Sequence, residues 1–334
     1  MTQNAKFSPG IGLDIGTSRL VAARKTEQGF RYDAQLNAFI NVPFSRVTQG
    51  ALRKEGIPYI VDDSGIWIHG NDSQRFADLL NSEVRRPMMG GVLNSSEPDS
   101  VKVIAEILKA LTGNAGPTPQ NVCFSIPAAP AGAESNLTWH DVTLKQMLTD
   151  MGYRVKSINE GLAVVYSELE DSNYTGIGIS CGGGLCNICF SYLSVPILTF
   201  AVPKAGDFID NSAASVAGAR ANRVRIIKEE GFKINGHYPN KIHQVLGVYY
   251  DDMIRTLVTA LNDGFRNANG LPNVGRPIPL VLSGGTALPP GFRDRFEAIL
   301  QESRFPVGIS EVRLAPEPLT ATAKGCLMAA VSEM

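Results

Sequence analysis

Three glycine-centred turns, each preceded by a short apolar run typical of a strand, constrain the fold of this chain most strongly. They occupy residues 12–18 (GLDIGTS), 181–185 (CGGGL) and 282–287 (LSGGTA). Glycine accepts positive φ and has no Cβ, so such a turn can bring backbone N–H groups against an anion. Two facing turns would hold a triphosphate. The third precedes a helix predicted from residue 292 and suits a ribose or a ring.

The composition is that of an ordinary soluble globular protein. The 334 residues are 44% hydrophobic, enough for two domains of about 100–200 residues each. With 31 basic and 32 acidic side chains the net charge is −1, which does not favour nucleic acid as a partner. The first ten residues lack a signal-peptide core, and no apolar run reaches the ~18 residues of a membrane span. We therefore expect a cytoplasmic protein, and the sequence does not favour a membrane partner.

Five cysteines, an odd number, lie in apolar or glycine-rich stretches and indicate a reducing compartment. Cys181, Cys186 and Cys189 have the spacing of plant-type iron–sulfur ligands, but the fourth ligand is missing nearby. The next cysteine along the chain is Cys326. Because neighbouring side chains of a strand point to opposite faces, buried thiols that fill apolar space are the favoured interpretation.

Hydrophobic periodicity predicts alternating strands and helices in the amino-terminal half. The predicted elements are a hairpin at 11–15 and 19–24, strands at 57–61 and 66–69, a helix from residue 100 to Gly113, a strand at 122–126, a helix at 142–151, a strand at 153–158 and a helix from residue 161. Such alternation is typical of an α/β fold. The pair at 57–61 and 66–69, with a turn between, indicates a small strand-bearing insertion.

The carboxy-terminal half repeats this organisation. Its predicted elements are a hairpin at 176–180 and 185–192, helices at 209–218, 224–230 and 242–262, a strand at 278–282, and helices at 292–301 and 318–331. The consecutive helices from 209 to 262 indicate a mostly helical insertion. Alanine and Gly325 in the last helix allow close backbone approach, most simply where two domains meet over a hinge.

The three turns and their neighbours resemble the actin-like ATPase superfamily, and within it the bacterial actins of the MreB and MamK type. The resemblance covers nearly the whole chain. Residues 12–18 resemble the first phosphate motif, 182–184 the second and 283–287 the adenosine motif. Residues 159–163 and 318–325 resemble the first and last connecting helices of that superfamily.

The resemblance implies an α/β, actin-like (ribonuclease H-like) fold of two lobes. Each lobe would have a mixed five-stranded sheet with helices, plus a smaller inserted subdomain. The implied ranges are 1–36, 88–172 and 316–334 for the first lobe core, 37–87 for a small strand-bearing insertion, 173–213 and 275–315 for the second lobe core, and 214–274 for a helical insertion.

The resemblance also implies a nucleotide-dependent cytoskeletal filament protein. It would bind ATP or ADP with Mg²⁺ between the lobes, assemble with copies of itself and hydrolyse ATP slowly. The implied nucleotide contacts are Gly16, Thr17, Ser18, Gly182, Gly183, Gly184, Leu185, Gly206, Asp207, Lys228, Gly284, Gly285 and Thr286. Asp14 would bind Mg²⁺ through water, and Glu160 would orient the attacking water, because phosphoryl transfer depends mainly on geometry and charge neutralisation.

Three of these residues have a simpler interpretation. Asp14 at a strand end would merely cap a turn. Glu160 would be a carboxylate that favours a helix N-terminus through the helix dipole. Lys228, which is followed by Glu229 and Glu230, would be a solvated charge on a helix, and this is the interpretation we favour for it.

The second phosphate turn departs from the pattern of MreB-like chains. An aspartate, a threonine and an acidic residue of that pattern are replaced here by Ser180, Leu185 and Asn187. Losing carboxylates weakens the hold on a metal's water shell, whereas backbone amides can still bind phosphate. The sequence therefore supports nucleotide binding more strongly than hydrolysis.

A second function stays open. A non-hydrolysing nucleotide-binding scaffold of the FtsA or PilM type, which recruits a cytoplasmic adaptor, is compatible with the same first turn and with the altered second turn. A sugar kinase of the superfamily is disfavoured, because no acidic base facing a hydroxyl substrate is identifiable. The choice of ATP over GTP rests on the resemblance alone, since glycine turns contact phosphates and not bases.

Overall fold

A computed structural model of the chain describes residues 10–116, 120–129 and 137–332. The prediction made for the first nine residues lies outside this part of the chain, and so do the last two residues of the implied first lobe. No helix in the described ranges combines the length and apolar character needed to cross a bilayer.

The amino-terminal half alternates strands and helices in the predicted order, with additional strands and short helices. In chain order its elements are β1 (Gly10–Ile15), β2 (Arg19–Thr26), β3 (Gly29–Leu36), β4 (Phe39–Val42), α1 (Arg46–Glu55), β5 (Tyr59–Asp62), β6 (Gly65–His69), α2 (Asn71–Leu79), β7 (Met88–Met89), β8 (Val92–Leu93), α3 (Ser100–Thr112), β9 (Asn121–Ile126), α4 (Leu137–Asp150), β10 (Arg154–Asn159) and α5 (Glu160–Glu168). Helix α3 ends before Gly113, whose φ of 71° suits glycine.

The carboxy-terminal half begins with a second hairpin and ends with a helix. Its elements are β11 (Gly176–Cys181), β12 (Cys186–Tyr192), β13 (Val195–Val202), α6 (Gly206–Ala217), α7 (Ala221–Gly231), α8 (Lys241–Asn267), β14 (Ile278–Ser283), α9 (Phe292–Glu302), β15 (Ile309–Leu314) and α10 (Ala321–Val331). Helix α6 starts at Gly206, three residues before the apolar residue Ile209 that set its predicted start.

Two mixed five-stranded sheets of the same topology form the two halves. Their strand orders are β10-β9-β1-β2-β3 and β13-β12-β11-β14-β15. In each sheet the first strand of an antiparallel hairpin pairs with a parallel strand from later in the chain, and that strand pairs with a second parallel strand. The predicted α/β fold with two five-stranded sheets is confirmed.

Two groups of elements are inserted into these sheets. A three-stranded sheet, β4-β6-β5, packs with α1 and α2 around a small apolar cluster that includes Ile40, Leu52 and Ile68. Helix α8 packs against the second sheet through residues such as Met253 and Leu257. Both groups reach the cleft that the glycine turns line, the first through Gln74 of α2 and the second through Arg225 and Lys228 of α7.

Backbone contacts through glycine join the two halves. A Cβ on Gly325 of α10 would lie 1.8 Å from the Ala163 carbonyl oxygen of α5. A Cβ on Gly12 of β1 would lie 2.1 Å from the Ala323 carbonyl oxygen, and one on Gly161 would lie 2.6 Å from the Cys189 nitrogen of β12. Helices α5 and α10 therefore cross in direct backbone contact, and this crossing places the first residue of α5 between the sheets.

All five cysteines lie within the described residues, are buried and form no disulfide bond. Cys186 packs into the core beneath α8, whereas Cys189 packs against α5 on the other face of β12. The alternation predicted from the sequence thus separates these two thiols. They fill apolar space on opposite sides of one strand, which is the interpretation favoured above.

The crossing of α5 and α10 predicts that Gly325→Ala lowers the free energy of unfolding by about 1–3 kcal/mol or more, because the backbones must separate. Gly50→Ala is the matched control. Gly50 lies within α1 with no atom near its missing Cβ, so this change should stabilise the protein by up to about 1 kcal/mol. Urea unfolding measures both. Equal stability of Gly325→Ala and the wild type would contradict the close crossing.

Candidate functional site

The glycine turns of the two sheets face a common cleft of about 500 Å³. Every site residue predicted from the sequence lines it, namely Asp14, Gly16, Thr17, Ser18, Glu160, Gly182, Gly183, Gly184, Leu185, Gly206, Asp207, Lys228, Gly284, Gly285 and Thr286. These residues come from distant parts of the chain. The fold therefore brings them together as the resemblance implies.

The first turn joins β1 to β2 and is held from behind by Asn37. The Gly16 N–H donates to the Arg19 carbonyl at 3.1 Å and closes the turn. The Asn37 side chain donates to the Gly16 carbonyl at 2.9 Å, and its backbone N–H donates to the Ser18 carbonyl at 3.0 Å. Within the described residues, the N–H groups of Thr17 and Ser18 have no acceptor. Two donors are thus free at the tip of a rigid turn.

The second turn joins β11 to β12 and is fixed through the Gly182 carbonyl. The Gly182 N–H donates to the Leu185 carbonyl at 2.9 Å. The Gly182 carbonyl accepts from the Gly206 N–H at 3.1 Å and from the Thr286 hydroxyl at 2.6 Å. Gly206 and Thr286 therefore shape the second turn, in addition to lining the cleft.

The tip of the second turn is likewise tied to the start of α6. The Asp207 N–H donates to the Gly183 carbonyl at 2.8 Å. No acceptor within the described residues receives the N–H groups of Gly183 and Gly184. With its carbonyls bound to α6, the turn presents these N–H groups to the cleft, which is the arrangement of an anion-binding nest.

The two turns approach so closely that only glycine fits between them. A Cβ on Gly183 would lie 2.4 Å from the Ser18 hydroxyl, and one on Gly184 would lie 2.6 Å from the Thr17 hydroxyl. The Thr17 hydroxyl also accepts from the Gly91 N–H at 3.0 Å. The tips of both turns therefore meet at one place in the cleft.

The third turn lies against the second. Gly284 has a φ of 91°, and a Cβ there would lie 2.2 Å from the Cys181 carbonyl oxygen. The Gly284 N–H donates to the Pro318 carbonyl at 2.9 Å, just before α10. Gly285 follows beside Leu319 at the open side of the cleft. The side chains of Leu288 and Leu319 make this part of the cleft apolar.

Asp14 lies at the floor of the cleft at the end of β1. Its carboxylate accepts from the Ser125 hydroxyl at 2.9 Å, and that hydroxyl accepts from the Ile15 N–H at 3.2 Å. Burial raises the pKa of Asp14 from 3.8 to about 6, and the Ser125 hydrogen bond opposes this shift. The carboxylate is held by β9 and makes no bond to its own turn, so the turn-cap interpretation does not describe it.

Glu160 is the first residue of α5 and faces Asp14. Asn159 caps the helix, so Glu160 is free to extend into the cleft, where the Ser180 hydroxyl donates to it at 3.2 Å. Burial raises the pKa of Glu160 from 4.5 to about 8; the Asp14 charge adds to the shift, and Ser180 and Asn187 oppose it. Two buried carboxyl groups sharing a site are typical of functional sites.

The replaced residues of the second turn occupy distinct positions. Ser180 contacts Glu160, as described above. Leu185 packs with Ala128 and Ala201 where the two halves meet. Asn187 is 1% exposed, and its side-chain oxygen accepts from the Ala128 N–H at 2.8 Å, a bond that joins β12 to the end of β9. None of these residues carries a charge.

Lys228 is buried, so its interpretation as a solvated charge is wrong. Its ammonium group lies 2.8 Å from the Asp210 carboxylate, and the side chains are 8% and 7% exposed. Burial raises the pKa of Asp210, and Lys228 opposes the shift. The apolar face of α7 was too short to reveal in the sequence that Lys228 points inward.

Contacts across the mouth of the cleft were not predicted from the sequence. Arg86 pairs with Asp207 at 2.7 Å, and the Arg225 side chain donates to that of Gln74 at 3.1 Å. These partners lie more than a hundred positions apart in the chain. A single sequence carries no signal for such pairs, nor for the role of Asn37, which stands in an unremarkable stretch.

The oxygen ligands at the cleft floor fit Mg²⁺ held through water. In the described part of the chain, no group of three or more His, Cys, Asp or Glu side chains is arranged to hold a metal ion directly. Asp14 nevertheless presents a half-buried carboxylate in the cleft that the glycine turns line. Mg²⁺ keeps most of its waters and commonly takes one or two carboxylates with phosphate oxygens, so Asp14 suits it.

A family model identifies the chain. The model described as Volactin matches residues 10–330. The chain belongs to the Volactin family. A comparison with curated proteins gives no match.

Solved structures show which fold this Volactin-family chain has. A structure of MamK as a double helical filament matches with a TM-score of 0.72 and 16% identity, over 98% of this chain and 99% of that chain. MreB 5 of Spiroplasma citri bound to AMPPNP matches with a TM-score of 0.68 and 14% identity, over 96% and 95%. EutJ, an ethanolamine utilization protein from Carboxydothermus hydrogenoformans, matches with a TM-score of 0.57 and 15% identity, over 97% of this chain and 90% of that chain. The two-lobed actin-like fold is therefore confirmed.

The raised pKa of Glu160 predicts that the nucleotide-free protein loses stability as pH rises from about 5 to above 8. The unfolded chain releases this proton near pH 4.5, whereas the folded chain keeps it until about pH 8. Glu160→Gln removes this loss, while the smaller loss from Asp14, centred between pH 4 and 6, remains. Thermal unfolding of the wild type and of Glu160→Gln between about pH 4 and pH 9 measures this loss of stability. Parallel pH profiles would contradict the buried state of Glu160.

Proposed function

We propose that this protein binds ATP with Mg²⁺ between its lobes, assembles into filaments with copies of itself, and hydrolyses ATP slowly. The observation that carries the proposal is that the two turns meet at one place in the cleft, and that the N–H groups at their tips, those of Thr17, Ser18, Gly183 and Gly184, have no acceptor within the described residues. Backbone donors fixed in two opposed turns bind the oxygens of a polyphosphate without relying on any side-chain charge.

The rest of the cleft suits the remaining parts of a nucleotide. Gly284, Gly285 and Leu319 form an apolar surface for the base. Lys228, held by Asp210, lies on the same side and would contact the ribose. The resembling MreB 5 structure is bound to AMPPNP, an ATP analogue, which supports the assignment of the cleft to ATP.

Slow hydrolysis follows from the groups around Glu160. Glu160 would orient a water toward the terminal phosphate, a task of positioning in a reaction governed by geometry and charge neutralisation. Mg²⁺, when bound through Asp14 and phosphate oxygens, would neutralise the charge that develops there. Ser180 brings no charge to support the metal's water shell. We therefore expect turnover well below that of a site with an aspartate in place of Ser180.

The fold and the contacts at the mouth of the cleft together support assembly of the protein into filaments. The MamK structure with the same fold is a double helical filament. In this chain, Arg86 and Asp207 join the two sides of the cleft at its mouth, so a nucleotide between the turns would favour the closed arrangement of the lobes. The surface that contacts the next copy would then depend on the nucleotide. The domain ranges given above, which place 37–87 and 214–274 on either side of the mouth, are part of this proposal.

The scaffold function is the second candidate. The neutral second turn, with Ser180 and Asn187, favours binding over turnover. Such a protein would hold a nucleotide in the closed cleft and recruit a cytoplasmic adaptor. A cytoplasmic location is proposed for either function.

The hydrolysis proposal predicts slow phosphate release from purified protein with ATP and Mg²⁺. Glu160→Gln should lower the rate at least about 10-fold, because the water loses its orienting carboxylate. Pelleting of the same samples should show nucleotide-dependent sedimentation, and electron microscopy should show filaments. Nucleotide binding without phosphate release or filaments would favour the scaffold instead.

The binding proposal predicts that Gly183→Ala lowers ATP affinity at least about 10-fold, since the new methyl group would occupy the space between the turns. Gly231→Ala is the matched control. Gly231 ends α7 with no atom near its missing Cβ, so affinity should stay at the wild-type value. Calorimetry with a non-hydrolysable ATP analogue measures both. Wild-type affinity in Gly183→Ala would contradict a phosphate site between the turns.

A further inference from the structure

The Asn187 amide is fixed in one orientation by the opposite half of the molecule. Its Oδ1 accepts from the backbone N–H of Ala128, at 2.8 Å. A backbone N–H only donates, so the oxygen must face Ala128 and the nitrogen must face away from it. Ala128 follows β9 of the first sheet, whereas Asn187 belongs to β12 of the second. The direction of the Asn187 Nδ2 group therefore depends on contact between the two halves.

That nitrogen is a buried donor without a partner, and it lies next to the hydrogen bond between Ser180 and Glu160. Asn187 is 1% exposed and its Nδ2 atom has no hydrogen-bond partner within the described residues. Asn187 and Glu160 line the same cleft, and the Asn187 side chain acts to lower the pKa of Glu160. A buried N–H group without a hydrogen-bond partner destabilises the folded protein, because it loses its hydrogen bonds to water and gains none in return.

Ser180 approaches the same carboxylate from the neighbouring strand. Ser180 and Asn187 are directly opposite in the antiparallel pair of β11 and β12, so their side chains share one face of the sheet. The Ser180 hydroxyl already donates to Glu160 at 3.2 Å. Two neutral donors thus stand where the resembling chains carry acidic residues.

We propose that Asn187 is a positioning residue that holds the Glu160 carboxylate together with Ser180, and that it does so only when the two lobes are in contact. The proposal rests on the proposed function, in which Glu160 orients the attacking water. When the lobes part, the Ala128 N–H leaves and the Asn187 amide is free to turn. Glu160 is then held by Ser180 alone. Lobe closure and the placement of the water are thereby linked through one side chain.

An aspartate at position 187 cannot donate a hydrogen bond to Glu160 while it accepts one from Ala128. Its two oxygens are both acceptors when ionised, so one would bind the Ala128 N–H while the other faced the Glu160 carboxylate. Asn187→Asp therefore keeps the shape of the side chain and the bond between the halves, but it replaces the donor with an acceptor and adds a negative charge beside Glu160. Asn187→Ala removes both the donor and the bond between the halves. The two variants separate positioning of Glu160 from contact between the lobes.

The first test needs neither nucleotide nor turnover. The protein is labelled with ¹³C at the glutamate carboxyl carbon, and the Glu160 resonance is assigned by its loss in Glu160→Gln. We expect Asn187→Asp and Ser180→Ala to shift this resonance. In hydrogen exchange, the segment containing Ala128 should keep its protection in Asn187→Asp and lose it in Asn187→Ala. An unshifted Glu160 resonance in Asn187→Asp would overturn the proposal.

The second test measures phosphate release and nucleotide affinity separately. Asn187→Asp should lower phosphate release at least about 10-fold, as a misplaced catalytic group does, with ADP affinity changed less than threefold. Asn262→Asp is the matched control. Asn262 is a buried asparagine of α8 that donates to Val258 and Ser303 and does not line the cleft, so its variant should release phosphate at the wild-type rate.

The outcomes distinguish this inference from the proposed function. A wild-type protein that binds no nucleotide, or releases no phosphate, contradicts the proposed function, and the resonance still decides whether Asn187 holds Glu160. Phosphate release at the wild-type rate in Asn187→Asp contradicts the inference alone. A loss of release in both Asn187→Asp and Asn262→Asp would also overturn it, since any buried carboxylate would then have the same effect.

Discussion

The site depends on the absence of side chains between two turns. Gly183 and Gly184 meet Ser18 and Thr17 at distances that exclude a Cβ, and the free N–H groups lie where this contact occurs. Each turn is rigid because its carbonyls are bound from behind, the first by Asn37 and the second by the start of α6. Backbone donors held in this way bind an anion without rearrangement, which lowers the entropic cost of binding.

Close backbone contacts at glycine residues also join the two halves. Helices α5 and α10 cross at Gly325, and β12 contacts α5 at Gly161. The crossing places Glu160 beside Asp14, although these residues belong to different elements. Burial of both carboxyl groups raises their pKa values, so a bound cation would stabilise the charged forms. The altered residues Ser180 and Asn187 supply hydrogen bonds in place of charge, which makes this site less dependent on electrostatics than an acidic one.

Much of this architecture could be predicted from the sequence, because glycine turns and apolar periodicity are local signals. The turns at Gly16, Gly183 and Gly284, the two hairpins and the long helix α8 follow from such patterns, and the fold follows from their order. Contacts between distant residues do not. The Arg86–Asp207 pair and the Asn187–Ala128 bond depend on how the lobes meet. The adjacent Glu229 and Glu230 favour a solvent-exposed Lys228 in the sequence. The residue that permits its burial, Asp210, lies on another helix.

A structure of the protein with a non-hydrolysable ATP analogue and Mg²⁺ tests the central claim most directly. We expect the terminal phosphates between the turn at Gly16 and the turn at Gly183, within hydrogen-bonding distance of the N–H groups of Thr17, Ser18 and Gly184. We also expect the metal on the Asp14 side of these phosphates. An analogue bound elsewhere, or bound in the cleft with its phosphates away from both turns, would contradict it.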